Sequence, residues 1–433
     1  MHAIILSIGD ELVLGQTVDT NSAYLSAELA SRGIMTKYHQ TVADDEAAIR
    51  DAFLWASQQA ELLIVTGGLG PTEDDLTRQA LAAAMGVELV VDEASLKEIT
   101  DFFARRGRVM PDRNRIQAMQ PRGAKAIANS CGTAPGIEVQ FNRAKVFVTP
   151  GVPSELFAMF RLSIAPYLDQ LAASQPALRR TILTQKVNTF GMGESDVADK
   201  LGSLMDRKRN PLVGTTVSDG LVSVRVRSEF DDPQKAKSQL DYTMTEIERA
   251  LGAVVIGRET QTLQAALVEL LLAKKATVAT AESCTGGLVA KSITDVAGSS
   301  SVFAGGWVTY ANEMKTSQLG VPASLIEANG AVSEPVARAM ATGALTRSSA
   351  SMAVAITGIA GPGGGTDAKP VGTVWIALAH RDEAGQIMTD ARLFILPGDR
   401  EQVRDRAAKA AMQLLRFHAM GVSLDEMRWG RKK

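Results

Sequence analysis

Ala281-Glu282-Ser283-Cys284-Thr285-Gly286-Gly287, reading AESCTGG, is the stretch on which the fold turns. The apolar run 276–281 leading into it predicts a strand, and the run 288–295 after it predicts a helix. A strand that breaks into Gly-Gly and then a helix sets its turn at the carboxyl edge of a sheet, where α/β proteins bind ligands. The first N–H groups of such a helix have no intrahelical partner, and the helix dipole adds about half a positive charge at that end. Ser283 and Cys284 are therefore expected to face a site suited to a negative oxygen, either a phosphate or a developing oxyanion. A merely structural turn has the same outward pattern.

Two nucleophiles stand side by side. A thiol needs little activation, whereas a serine hydroxyl needs a nearby base. The four histidines (His2, His39, His380 and His418) lie outside the Gly-rich turns, which speaks against a Ser-His-Asp triad. Downstream, GGWVTYANEMK (305–315) is a strand-like run ending in Tyr310, Asn312 and Lys315. A lysine buried among apolar walls can lose several pKa units and act as a base, then protonate a departing amine as an ammonium.

AESCTGG, GGWVTYANEMK, GAVSEPVARAMA (330–341) and ITGIAGPGGGTDAKPVGTVW (356–375) together resemble the carboxy-terminal domain of the CinA family, from about Thr260 to His418. That domain is similar to stand-alone nicotinamide mononucleotide deamidases. The resemblance implies hydrolysis of the nicotinamide amide to nicotinate mononucleotide and ammonia, without a cofactor. It also implies a Ser–Lys arrangement on Ser283 and Lys315, with Tyr310 beside them. Cys284, Thr285 and Asn312 are counted with the substrate pocket, which Thr357 and Gly358 are expected to close. The amides of Gly286 and Gly287 are expected to hold the oxyanion, and Glu282 to orient Lys315 or else to point to solvent. Arg400, opening the last helix, is the candidate contact for the substrate's phosphate; the competing view is a solvated face on which Glu401 and Arg404 pair.

The chain has 433 residues, enough for two to four domains with their own cores. A net charge of −2 supplies no overall basic field to recruit nucleic acid. The two cysteines, Cys131 and Cys284, are far apart and suggest free thiols rather than a disulfide framework. The apolar run 3–8 is too short for a signal core, and no 18-residue apolar stretch exists, so a soluble cytoplasmic protein without a membrane partner is expected.

At the front, strand-like and helix-like segments alternate. The pattern predicts a strand at 3–8, a helix at 21–32, an extended run at 34–42, a helix capped by Asp44 and a strand at 61–66. Such alternation argues for a parallel sheet flanked by helices. Two turns at strand ends carry the chemistry, GDELVLGQTVDTNSAYL (9–25) and TGGLGPTEDDLTRQAL (66–81). In the second, the loop from Thr66 through Gly67, Gly68 and Gly70 could cradle phosphates. Thr72 is expected to cap a helix carrying Asp74 and Asp75 in its first turn. Those acids either stabilise the helix through its dipole or, with Asp10 and Glu11, hold a divalent metal such as Mg²⁺ against a diphosphate. Asn21, Ser130, Thr133 and Ser154 are further candidate contacts, or ordinary turn and cap chemistry. Cys131 is expected to fill space. These turns, with NSCGTAPG (129–136) and TPGVPSEL (149–156), resemble the molybdopterin-binding fold at the front of CinA proteins. Relatives of that fold bind a phosphate-bearing pterin. In CinA proteins the domain is associated with metal-dependent hydrolysis of ADP-ribose to AMP and ribose 5-phosphate.

Between the two ends, 174–180 suggests a linker. Extended runs at 181–190, 212–217 and 221–230, with helices at 191–205 and 232–251, resemble the KH-like module of CinA proteins. Glu194 and Asp196 follow the glycine pair Gly191 and Gly193 and would repel phosphate, while Arg207-Lys208-Arg209 is expected to be a solvated loop. Nucleic-acid binding is therefore not expected, and a spacer or dimer contact is. The whole is an α/β chain: two three-layer α/β/α domains, 1–170 and 256–425, joined by a small KH-like α+β module at 171–255, with a basic tail at 426–433. A homodimer acting on nicotinamide mononucleotide and ADP-ribose is the leading expectation. The alternative is a non-enzymatic pterin- or nucleic-acid-binding protein linked to competence.

Overall fold

A computed structural model describes residues 1–174 and 180–428. The first strand shows why the front of the chain becomes a three-layer unit. In β1 (His2–Ile8), Ala3 and Ile5 join Leu25, Leu29 and Phe160 on one face. Ile4, Leu6 and Ile8 join Ile49 and Phe53 on the other. Side chains alternate across a strand, so helices on both faces require the near-continuous apolar run seen here.

β1 lies parallel to both β2 (Met35–Val42) and β3 (Leu62–Thr66). The strands β4 (Leu89–Val91) and β5 (Met119–Pro121) form a separate ribbon. The main sheet runs on through β6 (Lys125–Ile127), β7 (Gly136–Phe141) and β8 (Ala144–Thr149), in the order β2-β1-β3-β8-β7-β6. β8 is parallel to β3, and the last two pairings are antiparallel. The chain leaves β1 toward β2 on one side and returns as β3 on the other. A crevice at such a reversal is where open α/β sheets take ligands.

One cap falls a residue later than expected. Asp45, not Asp44, accepts the Ala48 N–H and starts the helix Glu46–Gln59. Asp44 instead lines the crevice, its carboxylate accepting the Asp10 N–H at 2.9 Å.

The chain gathers 1–183 with 228–237 into one compact unit, and 184–227 with 238 onward into a second. β9 (Thr181–Phe190), β10 (Leu212–Ser218), β11 (Leu221–Phe230) and β12 (Val255–Arg258) form a sheet ordered β10-β11-β9-β12. As the alternation predicts, Val222, Val224 and Val226 are buried while Arg225 is exposed. Most of the expected linker, 175–179, lies outside the described residues.

In the second unit β13 (Val278–Glu282) lies between β14 (Phe303–Val308) and β15 (Met352–Gly358), parallel to both. β16 (Thr373–Arg381) and β17 (Ile387–Ile395) extend the sheet antiparallel. Ala279 and Ala281 are small enough to let the helix Glu334–Arg347 approach through Val336, Ala337 and Met340. Ser333 occupies the start of that helix, but its hydroxyl donates to the Gly330 carbonyl instead of capping. The final helix, Arg400–Met420, grips the small sheet with buried polar groups. Gln413 donates to the Phe190 carbonyl at 3.1 Å, and Arg416 to the Val255 carbonyl at 3.0 Å. The start of the expected tail is docked rather than free: Met427 is 0% exposed and the Arg428 N–H donates to the Gly191 carbonyl. Residues 429–433 lie outside the described residues. Among the described residues no helix is long and apolar enough to cross a membrane.

Candidate active sites

The turn after β13 brings Ser283 and Lys315 together. Lys315, on the helix Asn312–Leu319, is only 1% exposed, and its Nζ lies 3.1 Å from Ser283 Oγ. The same nitrogen donates to the Thr309 carbonyl at 2.9 Å and the Tyr310 carbonyl at 3.2 Å. Burial pulls the Lys315 amine below its ordinary value, against the weaker upward influence of Cys284 and Glu313. Two of its three partners can only accept; the third is a hydroxyl. A neutral amine is fully satisfied here, with two N–H groups on the carbonyls and its lone pair toward the serine proton. That is the arrangement of a base and its nucleophile.

Cys284 does not compete. Burial pushes its thiol up to about 12, and the neighbouring Glu282 carboxylate adds to the rise. At neutral pH it is a protonated, buried group.

The rest of the turn departs from expectation. Glu282 is 0% exposed and neither orients Lys315 nor reaches solvent. Its carboxylate accepts the N–H groups of Gly287, Val289 and Ala290 at 3.0, 3.1 and 2.8 Å, occupying the positive end of the helix Leu288–Thr294 itself. The Gly286 amide is also spent, on the Ser283 carbonyl at 3.1 Å. Neither glycine amide is therefore available to an oxyanion. Gly286 serves instead through its φ of +63°, which lets the strand turn into the helix. Among the described residues, the Cys284 and Thr285 amides have no backbone acceptor.

Tyr310 contributes its carbonyl to Lys315, while its 59% exposed ring turns outward. Its hydroxyl accepts from Arg400 at 2.7 Å, and Arg400 also donates to the Gly361 carbonyl at 2.7 Å. Arg400 thus ties the glycine-rich loop to the Lys315 segment. Arg404, which the competing view paired with Glu401, donates to the Thr285 carbonyl at 2.9 Å. Thr357 is buried and donates to the Ala331 carbonyl at 2.8 Å, and Gly358 ends β15 beside it. Asn312 heads its helix with an exposed side chain.

The front site is a cavity of about 560 Å³ at the ends of β1, β3 and β8, lined by Glu11, Asp44, Gly67 to Gly70, Asp74, Asp75, Thr133 and Glu155, among others. Gly67 has φ +111°, and a Cβ there would meet the Ile8 carbonyl oxygen at 2.1 Å, so only glycine fits. Two loop amides are consumed: Gly67 N–H by the Thr149 carbonyl and Gly70 N–H by Asp75 at 2.7 Å. Asp75 also accepts the Thr72 N–H and hydroxyl. This closes the loop ahead of the helix, which begins at Thr77 and gains no side-chain cap from Thr72. The Gly68 and Leu69 amides have no backbone acceptor among the described residues. Arg78 lies wholly buried beneath this loop, donating to the Leu69 carbonyl at 2.8 Å; burial pulls its guanidinium down to about 10.

Several expected front contacts are bonded within the protein or lie outside the cavity lining. Asn21 and Thr66 brace the strand ends, Asn21 donating to Thr66 and the Gly151 carbonyl and Thr66 to the Pro150 carbonyl. Ser130 and Ser154 are exposed and do not line the cavity. Cys131 is exposed rather than space-filling, because Asn129 accepts the Cys131 and Gly132 amides and turns the loop outward.

Among the described residues no three acidic, histidine or cysteine side chains converge into a ready metal-ligand set. The acids are nonetheless neighbours. Burial pushes the Asp44 carboxyl up, and the Asp10, Glu11 and Asp74 carboxylates push it the same way. A divalent ion fits here if substrate oxygens complete its shell, as Mg²⁺ commonly requires.

The chain matches three family profiles: the CinA C-terminal domain over 260–418, a probable molybdopterin binding domain over 4–170 and the damage-inducible protein CinA KH domain over 184–257. A competence-damage inducible protein of Symbiobacterium thermophilum is 45% identical over 427 residues, covering 97% of this chain and 99% of that one. A CinA-like protein of Chlorobaculum tepidum is 42% identical over 421 residues, covering 95% and 97%. This chain belongs to the CinA family. Among solved structures, competence/damage inducible protein CihA from Agrobacterium tumefaciens is 41% identical, covering 35% of this chain and 91% of that one, with a TM-score of 0.33.

Four residues of this CinA chain that line or support the two sites went unassigned in the sequence. Asp44 was hidden by the one-residue cap shift, and Glu155 sits in the first turn of the helix Pro153–Met159 like any dipole partner. Arg78 and Arg404 lie on amphipathic helices, where an arginine ordinarily faces solvent. No local signal distinguishes them.

Proposed function

We propose that the second unit hydrolyses the carboxamide of nicotinamide mononucleotide, releasing ammonia and nicotinate mononucleotide. The observation carrying this is the 3.1 Å contact between Ser283 Oγ and an Nζ that burial keeps toward its neutral form. Lys315 takes the hydroxyl proton as Ser283 attacks the carboxamide carbon, giving a tetrahedral intermediate. We assign its oxyanion to the Cys284 and Thr285 amides. The C–N bond then breaks as the Lys315 ammonium returns the proton to nitrogen, and ammonia leaves. A water, deprotonated by the same amine, attacks the Ser283 ester; the acyl C–O bond breaks, the ammonium returns the proton to Ser283 Oγ, and nicotinate leaves. Arg400, beside Tyr310, meets the phosphate.

The test is ammonia release from nicotinamide mononucleotide. Ser283→Ala and Lys315→Ala should each lower it by roughly 10³-fold or more, and Cys284→Ala should leave it within about threefold. Full activity in Ser283→Ala with loss in Cys284→Ala would move the nucleophile to sulfur and sink the assignment.

The acidic cavity with two unspent loop amides favours a second reaction in the front unit, cleavage of the ADP-ribose diphosphate to AMP and ribose 5-phosphate. Gly68 and Leu69 amides hold phosphate oxygens, while Asp44 and Asp74 would hold a divalent ion that neutralises charge on the diphosphate. Asp44→Asn should reduce AMP release by about 10²-fold, and raising Mg²⁺ should recover part of the loss. AMP release that ignores both the substitution and chelation of divalent ions would exclude this assignment.

A further inference from the structure

The small sheet of the second unit carries a cleft of about 500 Å³ that neither proposed reaction uses. Lys186 on β9, Arg225 and Arg227 on β11, and Arg207 in the turn before β10 all line it. The alternation along β11 determines the placement: Val222, Val224 and Val226 face the core, which puts Arg225 and Arg227 on the opposite face. β9 neighbours β11, so Lys186 joins them. Glu259 is the only acid among the described lining residues. It is already tied to the strand edge, its carboxylate accepting the Lys186 N–H and its own N–H donating to the Lys186 carbonyl, each at 3.1 Å.

Arg227 has an interaction of its own, so Lys186, Arg207 and Arg225 against one carboxylate leave two positive charges in a confined cleft. Like charges gathered this way repel one another, and a multiply charged anion relieves the repulsion. Arginine forks match phosphate oxygens in pairs. The described lining holds no aromatic ring on which an unpaired base could stack, the feature that usually accompanies single-stranded nucleic-acid binding. We propose that this cleft binds a compact anion bearing at least two phosphate groups, either free pyrophosphate or the diphosphate of a nucleotide.

The front cavity would also accept a diphosphate, so the readout must be local. Hydrogen exchange of the full chain is followed at 184–187, 207–214 and 225–227, and separately at 67–75, during titration with pyrophosphate, with ADP, and with a 12-nucleotide single-stranded RNA. Slowed exchange in the first three segments is expected with pyrophosphate if the free anion suffices, and with ADP alone if the nucleoside is needed. In the exposed Arg207→Gln/Arg225→Gln double variant, affinity read from those segments should fall at least tenfold, while protection of 67–75 stays unchanged. The proposal fails if neither diphosphate slows exchange at the cleft, or if the double variant loses less than tenfold. It also fails if the RNA protects the cleft at least tenfold more tightly than either diphosphate, which would make it a nucleic-acid surface.

Discussion

At the residue scale the second unit rests on a lysine held where its charge is unwelcome. Burial disfavours the ammonium, so the folded-state value of Lys315 lies below the ordinary lysine value while the unfolded chain keeps it. Between those two values the unfolded state binds more protons, and stability therefore rises with pH through that window. Below the window the protonated lysine is a standing cost. Lys315→Met should raise stability at pH 7, an advantage that shrinks as pH rises toward the ordinary lysine range, while abolishing ammonia release. Denaturant unfolding at several pH values measures it; a Met variant less stable than the parent at every pH would contradict the neutral-amine picture. The same sign governs rate. kcat/KM for nicotinamide mononucleotide should climb with pH through the depressed Lys315 value and level off before the ordinary lysine range. Lys315→Arg should not rescue activity, since a guanidinium keeps its proton. The partnership of Ser283 with Lys315 was legible because two motifs 32 residues apart resembled one family's pattern. Glu282 was not: a carboxylate beside a nucleophile looks like a catalytic orienter, and only three dimensions show it satisfied by helix amides.

At the scale of elements, the turns were found and their amides misassigned. Apolar runs and glycine breaks located the loops after β3 and β13, because periodicity and positive φ are local properties. Which N–H groups remain unspent depends on carbonyls brought from elsewhere in the chain, such as Thr149 for Gly67. The capping of the helix Leu288–Thr294 by a buried carboxylate makes a strong prediction. Glu282→Ala leaves three N–H groups without this acceptor, that of Val289 fully buried, and should destabilise the second unit by about 2–4 kcal/mol. Glu282→Gln keeps one acceptor oxygen and should cost about half as much. Thermal unfolding separates the two; equal and negligible effects would mean that the helix end does not depend on this carboxylate.

At the scale of the whole molecule, the three pieces read from the sequence each match a family profile, and contacts gather most of the small module with the carboxy-terminal domain. That gathering has a specific origin. Gln413 and Arg416 would ordinarily mark the solvent face of the last helix, yet both are buried, and they join that helix to Phe190 and Val255 of the small sheet. Met427, in a segment that composition marks as a basic tail, adds an apolar anchor at 0% exposure. The small sheet should therefore melt with the carboxy-terminal domain rather than by itself. Calorimetry of the full chain should resolve two transitions, and ligands should shift them separately, since a ligand stabilises only the unit that binds it. At 100 times its dissociation constant, nicotinamide mononucleotide should stabilise one transition by about 2.7 kcal/mol and ADP-ribose the other by a similar amount. Arg416→Met should split the small sheet from its partner as a third, earlier transition, because the salt-free guanidinium contact to the Val255 carbonyl is lost while the apolar stem remains. A single transition moved equally by both nucleotides would show that the two units unfold together, and one untouched by either would remove the nucleotides from the protein's function.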